Sequence, residues 1–328
     1  MSEQTKPLAL VIGATGGLGG ELADQLVAGG WRVRALHRDP ERARAQTGRT
    51  GLEWVKGDAS IKADVVRAAE GATVLVHGAN TPGYRNWGTL HMPMLENSIA
   101  AARASGARIL FPGAVYNFGP DAFPSLREDQ PQKPVTRKGA IRVKLEQALR
   151  DAADTGVRSL VVRAGDFISK RPGTSWLAQG MVKSGRPVSA LVYPGPLEIA
   201  HGWAYLPDLA ETFVRLLEAP ERLADFEVFH MRGYAVTGHE FVAALQTVAG
   251  RKIAVQRLPW FAVAAVSPFN ETFRETLELR YLWDRPVLMD NAKLVAHLGA
   301  EPQTPLTEAL RTALAGMGSL PTERAIAA

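Results

Sequence analysis

The spacing that points most directly to chemistry is Gly13-Ala14-Thr15-Gly16-Gly17-Leu18-Gly19, set between a short apolar run at 8–12 (LALVI) and an amphipathic stretch at 17–29. Three glycines so spaced permit a tight turn, a close backbone approach to a pyrophosphate, and close packing of the next helix on the strand before it. The helix N-terminus adds unsatisfied N–H groups and a partial positive charge for the phosphates. A glycine-rich turn alone says little. With a strand before it and a helix after it, the run reads as a dinucleotide-binding turn.

Cofactor choice is read at the end of the second strand. A site for NAD usually places Asp or Glu there to accept from the ribose 2′-hydroxyl. Here the chain reads Leu36-His37-Arg38-Asp39-Pro40. The planar fork of Arg38 suits adenine stacking and a 2′-phosphate. Asp39 stands late enough to cap a helix opened by Pro40 instead. The expectation is NADP, with NAD as the alternative.

The elements that must position these residues alternate. LALVI (8–12), RVRAL (32–36), LEWV (52–55), TVLVH (73–77), RILF (108–111) and RSLVV (158–162) read as strands, with nearly continuous apolar character. A parallel sheet covered on both faces requires that character. Helical patterns at 17–29, 61–70, 89–105 and 137–155 lie between them. Repeated βα units of this kind give right-handed crossovers and an α/β, doubly wound parallel Rossmann sheet.

Past Arg163 the rhythm breaks. Residues 166–205 are rich in Gly and Pro, a helix opens near Pro207, FEVFH (226–230) is another buried strand, and Thr237 with Glu240 fits a capping box for a helix over 237–250. Residues 260–283 carry a helical pattern, and DNAKLVAHLG (290–299) ends on Gly299 as a helix would. The expected division is a Rossmann domain over 1–165 with returns near 204–232. A smaller, interleaved C-terminal substrate lobe takes 166–203 and 233–328 and roofs the carboxyl ends of the strands, where open α/β sheets bind ligands.

Composition excludes several classes. Among 328 residues there is no cysteine, so disulfides and thiolate metal sites are ruled out. The seven histidines are scattered without paired carboxylates, so no metal site is expected. The net charge of +5 comes from Lys and Arg spread singly among acids, which speaks against a nucleic-acid partner. No stretch approaches the about 20 apolar residues of a membrane span, so no membrane partner is expected. The opening MSEQTKP lacks the apolar run of a signal peptide, and a cytoplasmic location follows as the expectation.

The G-x-x-G-x-x-G spacing resembles the extended and atypical short-chain dehydrogenase/reductases, the NAD-dependent epimerase/dehydratase-like group, and the likeness runs almost the whole length. Asp58, after Gly57, looks like the adenine-contacting Asp of that family, and His77-Gly78-Ala79-Asn80 resembles the segment lining its cofactor. Arg163-Ala164-Gly165-Asp166-Phe167 resembles the run where the substrate lobe begins. Tyr205-Leu206-Pro207-Asp208-Leu209-Ala210 is similar to the strand-to-helix return, and Asp290-Asn291-Ala292-Lys293-Leu294 to the C-terminal helix.

The resemblance implies catalysis by Tyr-x-x-x-Lys on one helix face, the lysine lowering the tyrosine pKa. Lys144, followed by Leu145-Glu146, matches the lysine, but Ala140 stands at the tyrosine position, Pro112 at the Ser/Thr position and His91 near that of the Asn. Lys144 keeps the implied role of holding the nicotinamide ribose. Candidates for the missing acid are Tyr116, His91, Asp166 and Tyr84, while His201 and Trp203 suit either a pocket wall or the core.

The cofactor set is therefore Gly13, Thr15, Gly16, Gly17, Leu18, Gly19, Arg38, Asp58, Ala79 and Lys144. The expected function is an atypical NADP(H)-binding oxidoreductase or epimerase-like enzyme for a small or nucleotide-linked carbonyl or hydroxyl substrate. The alternative is a catalytically inactive NADP-binding redox sensor or regulatory protein. Helices 89–105 and 137–155 are those that pair in dimeric relatives, which leaves a homodimer open.

Overall fold

The computed structural model describes residues 6–81, 86–171 and 175–320. Its first half runs β1 (Leu8–Ile12), α1 (Gly17–Ala28), β2 (Arg32–His37), α2 (Pro40–Thr47), β3 (Leu52–Lys56), α3 (Lys62–Ala68), β4 (Val74–His77), α4 (Trp87–Ser105) and β5 (Arg108–Ala114). The short β6 (Ser125–Leu126), α5 (Arg137–Ala153), β7 (Ser159–Ala164) and β8 (Asp166–Ile168) follow. The second half contains β9 (Ala190–Tyr193), β10 (Ala200–Tyr205), α6 (Leu206–Leu216), β11 (Phe226–His230), β12 (Tyr234–Thr237), α7 (Gly238–Ala249) and β13 (Ala254–Arg257). It closes with α8 (Trp260–Val266), α9 (Glu271–Leu277), β14 (Leu288–Met289), α10 (Ala292–Leu298) and α11 (Leu306–Gly316).

Seven parallel strands form the main sheet in the order β11-β7-β5-β4-β1-β2-β3. Every residue of β1, β4 and β7 is buried, as expected of strands covered on both faces. On one face Leu18, Leu22 and Leu26 of α1 share a core with Leu209 and Phe213 of α6; on the other, Leu95 and Ile99 of α4 pack with Leu145 and Leu149 of α5. The order of strands reverses between β1 and β4. This opens a crevice at their carboxyl ends, which is where such sheets bind ligands.

β8, β10 and β12 make a second, three-stranded sheet, and two small parallel pairs, β9 with β13 and β6 with β14, complete the lobe. Its core gathers Tyr193, Trp203, Phe241, Leu245, Leu310 and Leu314. The helical pattern over 260–283 divides into α8 and α9, because Pro268 interrupts it and the Asn270 side chain caps α9 by accepting from Phe273 N. Within 166–205 the Gly- and Pro-rich sequence did not announce β8 and β9, whereas β10 is the strand of the expected strand-to-helix return; α11 is a further helix.

The outer edge of the main sheet, β11, is met by side chains. Glu128 Oε1 accepts from His230 N at 2.8 Å, and Lys293 Nζ donates to Val228 O at 2.8 Å.

Candidate functional site

At the crevice the β1–α1 turn presses against the chain leaving β4. Gly13 has φ +90°, and a Cβ there would stand 2.4 Å from Gly78 O; one on Gly19 would stand 2.5 Å from Gly13 O. These two glycines are demanded by the fold. Gly16 differs. Its φ of −82° suits any residue, and a Cβ would meet only Gly13 O at 3.2 Å. The turn therefore leaves space above Gly16, and α1 has neither a side-chain cap nor an acid in its first turn. Its first N–H groups face the space that a pyrophosphate fills in a dinucleotide site.

Beyond the turn, Arg38 is exposed at the end of β2. Asp39 is occupied as the cap of α2, accepting from Arg42 N at 3.0 Å. Asp58 is oriented by Ser60, whose N and Oγ donate to Oδ1 at 2.9 and 2.8 Å. Thr15 and Ala79 are half-buried in the turn and the facing segment, while Gly17 and Leu18 are buried.

The opposite end of the crevice is built from side chains. His77 closes β4 with Nδ1 2.8 Å from Ser98 Oγ, and burial holds its pKa down to about 3. His91 is buried against Trp87, ring centroids 4.4 Å apart, with Nε2 unpartnered; burial, aided by Arg142, lowers it to about 4. Both imidazoles are neutral near pH 7. Tyr116 follows β5. Burial raises its pKa, the Arg142 cation opposes that, and the Asp166 carboxylate adds to it.

The inward face of α5 carries other cations than the one singled out from the sequence. Lys144 is exposed, whereas Lys138, Arg142, Leu145, Glu146 and Leu149 are buried. Three buried ionisable residues follow one another at four-residue spacing on the inward face, Lys138, Arg142 and Glu146. The cation beside Tyr116 is thus Arg142. It donates to Pro112 O, lies 4.6 Å over the Phe111 ring, and has Nε unpartnered. Lys138 is fully buried against Glu275 of α9, donating to its carbonyl and standing 3.5 Å from Oε2; desolvation lowers its pKa to about 8. Helical periodicity held this signal, since Leu145 and Leu149 mark the buried stripe and 144 lies off it.

Behind Tyr116, Asn117 donates to Glu146 Oε1 at 2.8 Å, and Glu146 receives Arg163 Nη2 at 2.6 Å. Gly139 admits the Tyr116 carbonyl, which a Cβ would approach to 2.2 Å. The loop is fixed from two sides. Across the crevice, parallel pairing of β8 with β10 brings His201 Nε2 to 2.8 Å from Asp166 Oδ2. The His201 ring stacks on Trp283 at 3.8 Å and 5°. Tyr193 Oη, Trp203 Nε1 and Trp283 Nε1 are buried and unpartnered around it.

A clasp joins lobe to turn. Arg171 Nη1 donates to Gly16 O at 3.2 Å and Nη2 to Asp24 at 2.9 Å, while Arg49 donates to Ala14 O and to the same Asp24 at 3.0 and 2.6 Å. Gly20 makes the room: a Cβ there would fall 1.9 Å from Arg171 Nη1 and 2.2 Å from Arg49 Nη2.

Of the sequence candidates, Tyr116, His91 and Asp166 stand at the side-chain end of the crevice or facing it, and Tyr84 lies outside the described residues. Arg142, Arg49, Arg171, Tyr193 and Trp283 were missed. No group of three or more potential metal ligands occurs among the described residues.

Residues 13–188 match the NAD(P)H-binding family. A (4-alkanoyl-5-oxo-2,5-dihydrofuran-3-yl)methyl phosphate reductase of Streptomyces griseus is 30% identical, the match covering 76% of this chain and 77% of that one. A protein of Sinorhizobium fredii, y4nL, is 30% identical over 55% of this chain, which spans only 56% of that relative. Among solved structures, L-threonine dehydrogenase of Clostridium difficile superposes with a TM-score of 0.73 at 18% identity, covering 95% of this chain and 99% of that one.

Proposed function

From the premise that the chain belongs to the NAD(P)H-binding family, we propose that it is an extended short-chain dehydrogenase/reductase, an NADP(H)-dependent reductase of a small carbonyl compound with Tyr116 as its proton donor. The observation that carries this is Tyr116 beside the buried cation Arg142, on a loop anchored through Asn117. A tyrosine and a cation are thus paired across two elements rather than along one helix.

The turn from Gly13 to Gly19 and the open N-terminus of α1 would take the pyrophosphate, Arg38 the 2′-phosphate and Asp58 the adenosine. The nucleotide, when bound, supplies hydride. Arg142 takes over the ribose-holding role expected of Lys144. Tyr116, kept protonated at neutral pH by burial, gives its proton to the substrate oxygen. The Asp166–His201 pair lies close enough to Tyr116 for its charge to be felt, and it is the group available to reload that proton. The name of the Streptomyces griseus relative, a reductase of an oxygen-rich phosphate ester, supports the reductive direction and a small substrate.

A second reading, an NADP-binding sensor without turnover, is favoured by the inward face of α5, which carries Lys138 and Arg142 and no hydroxyl acid. NADPH oxidation across a panel of carbonyl compounds separates the two. The reductase reading expects turnover that Arg142→Met lowers together with NADPH affinity, and that Lys144→Ala leaves intact. Tight NADPH binding with no turnover on any compound would overturn it in favour of the sensor.

A further inference from the structure

Two arginines grip the phosphate turn by its carbonyls. Arg49, between α2 and β3, donates through Nη1 to Ala14 O at 3.0 Å; Arg171, three residues past the end of β8, donates through Nη1 to Gly16 O at 3.2 Å. Asp24, one helical turn beyond Gly20, holds both forks, with Arg49 Nε at 2.6 Å and Arg171 Nη2 at 2.9 Å. The Arg49 side chain is buried and Arg171 is half-buried.

A peptide unit is planar and trans, so its C=O and its N–H point in opposite directions. The N–H that shares a plane with Gly16 O is that of Gly17, the first residue of α1, and the first N–H groups of a helix have no intrahelical acceptor. Ala14 O shares its plane with the Thr15 N–H. A cation on each carbonyl fixes the plane of a peptide whose N–H faces away from it, and polarises that N–H toward an anion. Neither arginine need touch the nucleotide to do so.

The two arginines come from different halves of the molecule. Arg49 lies within the connections of the main sheet. Arg171 belongs to the lobe: its N donates to the buried Ser169 Oγ at 3.1 Å, and the Lys170 carbonyl lies against Gly316 of α11, leaving no room for a Cβ there. Lys170 Nζ adds a tie to α1, 3.2 Å from Glu21 Oε2. Upstream on the same segment, Asp166 pairs in register with Trp203 and meets His201.

We propose that Arg171 is a positioning residue that completes the pyrophosphate site from the substrate lobe, so that nucleotide binding and docking of β8 and β10 on the turn are coupled. By linkage, the factor by which nucleotide favours the docked lobe is the factor by which the docked lobe raises nucleotide affinity. The inference rests on the nucleotide-binding part of the proposed function and is indifferent to turnover, so it holds for the reductase and the sensor alike.

The test measures NADPH affinity of the full chain by fluorescence titration, and amide hydrogen exchange over residues 166–171 and 200–205 with and without NADPH. In the wild type NADPH should slow exchange in both stretches. Arg171→Met should raise the NADPH Kd roughly tenfold, the factor of one charged hydrogen bond, and abolish the slowing in the lobe while slowing over 13–24 survives. Gly20→Ala is the second variant. Alanine is the better helix former, yet its Cβ would overlap Arg171 Nη1 and Arg49 Nη2, so the chain should stay folded and bind NADPH as weakly as Arg171→Met. Melting of the nucleotide-free variants is followed alongside. An unchanged Kd in either folded variant, whether or not it melts lower, overturns the proposal, because Arg171 is then a structural tie alone. So does a wild type that binds NADPH without slower exchange in the lobe. A wild type that binds neither NADPH nor NADH overturns the proposed function itself, and this inference with it.

Discussion

The two ends of the crevice are made of different material. At the α1 end the surface is backbone: Gly13 and Gly19 bring main chain against main chain, and Gly16 leaves space above it. At the α5 end the surface is side chains: Tyr116, Arg142, His77, His91, and across from them Asp166 with His201. A backbone surface fixes the glycines at its closest approaches, Gly13 and Gly19, and is indifferent to which apolar residues support it. A side-chain surface can exchange its chemistry residue by residue, so a tyrosine can be supplied by a loop when the helix offers none.

Tyr116→Phe should have the largest effect and touch only the second end. General acid groups contribute typically ~100- to 10,000-fold, so turnover should fall in that range while NADPH affinity stays unchanged. Wild-type turnover in this variant would make Tyr116 a wall residue and move the acid to the Asp166–His201 pair.

Within the backbone end, Gly13→Ala and Gly16→Val should separate fold from binding. At Gly13 the left-handed φ and the 2.4 Å approach to Gly78 O should cost about 3 kcal/mol or more of stability. Gly16→Val should melt near the wild-type temperature, yet show no stabilisation by nucleotide, which normally follows mass action. Equal melting losses in the two variants would erase the distinction between a glycine the fold needs and one a ligand needs.

Acid should strike the side-chain end. The folded-state values, about 3 for His77 and about 4 for His91, joined by about 3 for the buried His230, lie below the ~6.5 of an unfolded histidine. The unfolded chain therefore takes up more protons as pH falls below ~6.5, and stability drops until pH nears the folded values. Each histidine contributes about 1.4 kcal/mol per pH unit in that window and nothing above it. Urea midpoints between about pH 7 and about pH 5 measure the slope, and His77→Gln should flatten it. An unchanged slope would mean His77 is protonated inside the fold.

Arg38→Ala is the smallest and the sharpest test of cofactor choice. Loss of a charged hydrogen bond of ~1.5–3 kcal/mol lowers NADP affinity about tenfold or more and leaves NAD nearly unchanged. Equal losses for both nucleotides would assign Arg38 to adenine stacking.

What the sequence made legible was local. The strand LALVI is β1 to the residue, Asp39 caps α2, and the Thr237–Glu240 capping box is present on α7. Each depends on neighbours within a few positions. On α5 the run Lys144-Leu145-Glu146 drew the reading to an exposed lysine, while the buried stripe passes through Arg142. The Asp166–His201 pair spans 35 positions and exists only through the pairing of β8 with β10, and the Arg171–Gly16 contact spans 155. Strands of two to six residues in the lobe, paired with distant segments, leave little periodicity to read.

The guarded edge of the main sheet has a consequence for the life of the chain in a crowded solution. An open edge strand is a template on which another chain can add itself, and growth of that kind leads to aggregates. On β11 the His230 amide is taken by Glu128 and the Val228 carbonyl by Lys293, the ammonium standing also beside Glu227. An incoming strand would have to displace charged groups from both kinds of backbone site, so the sheet ends where its own side chains end it.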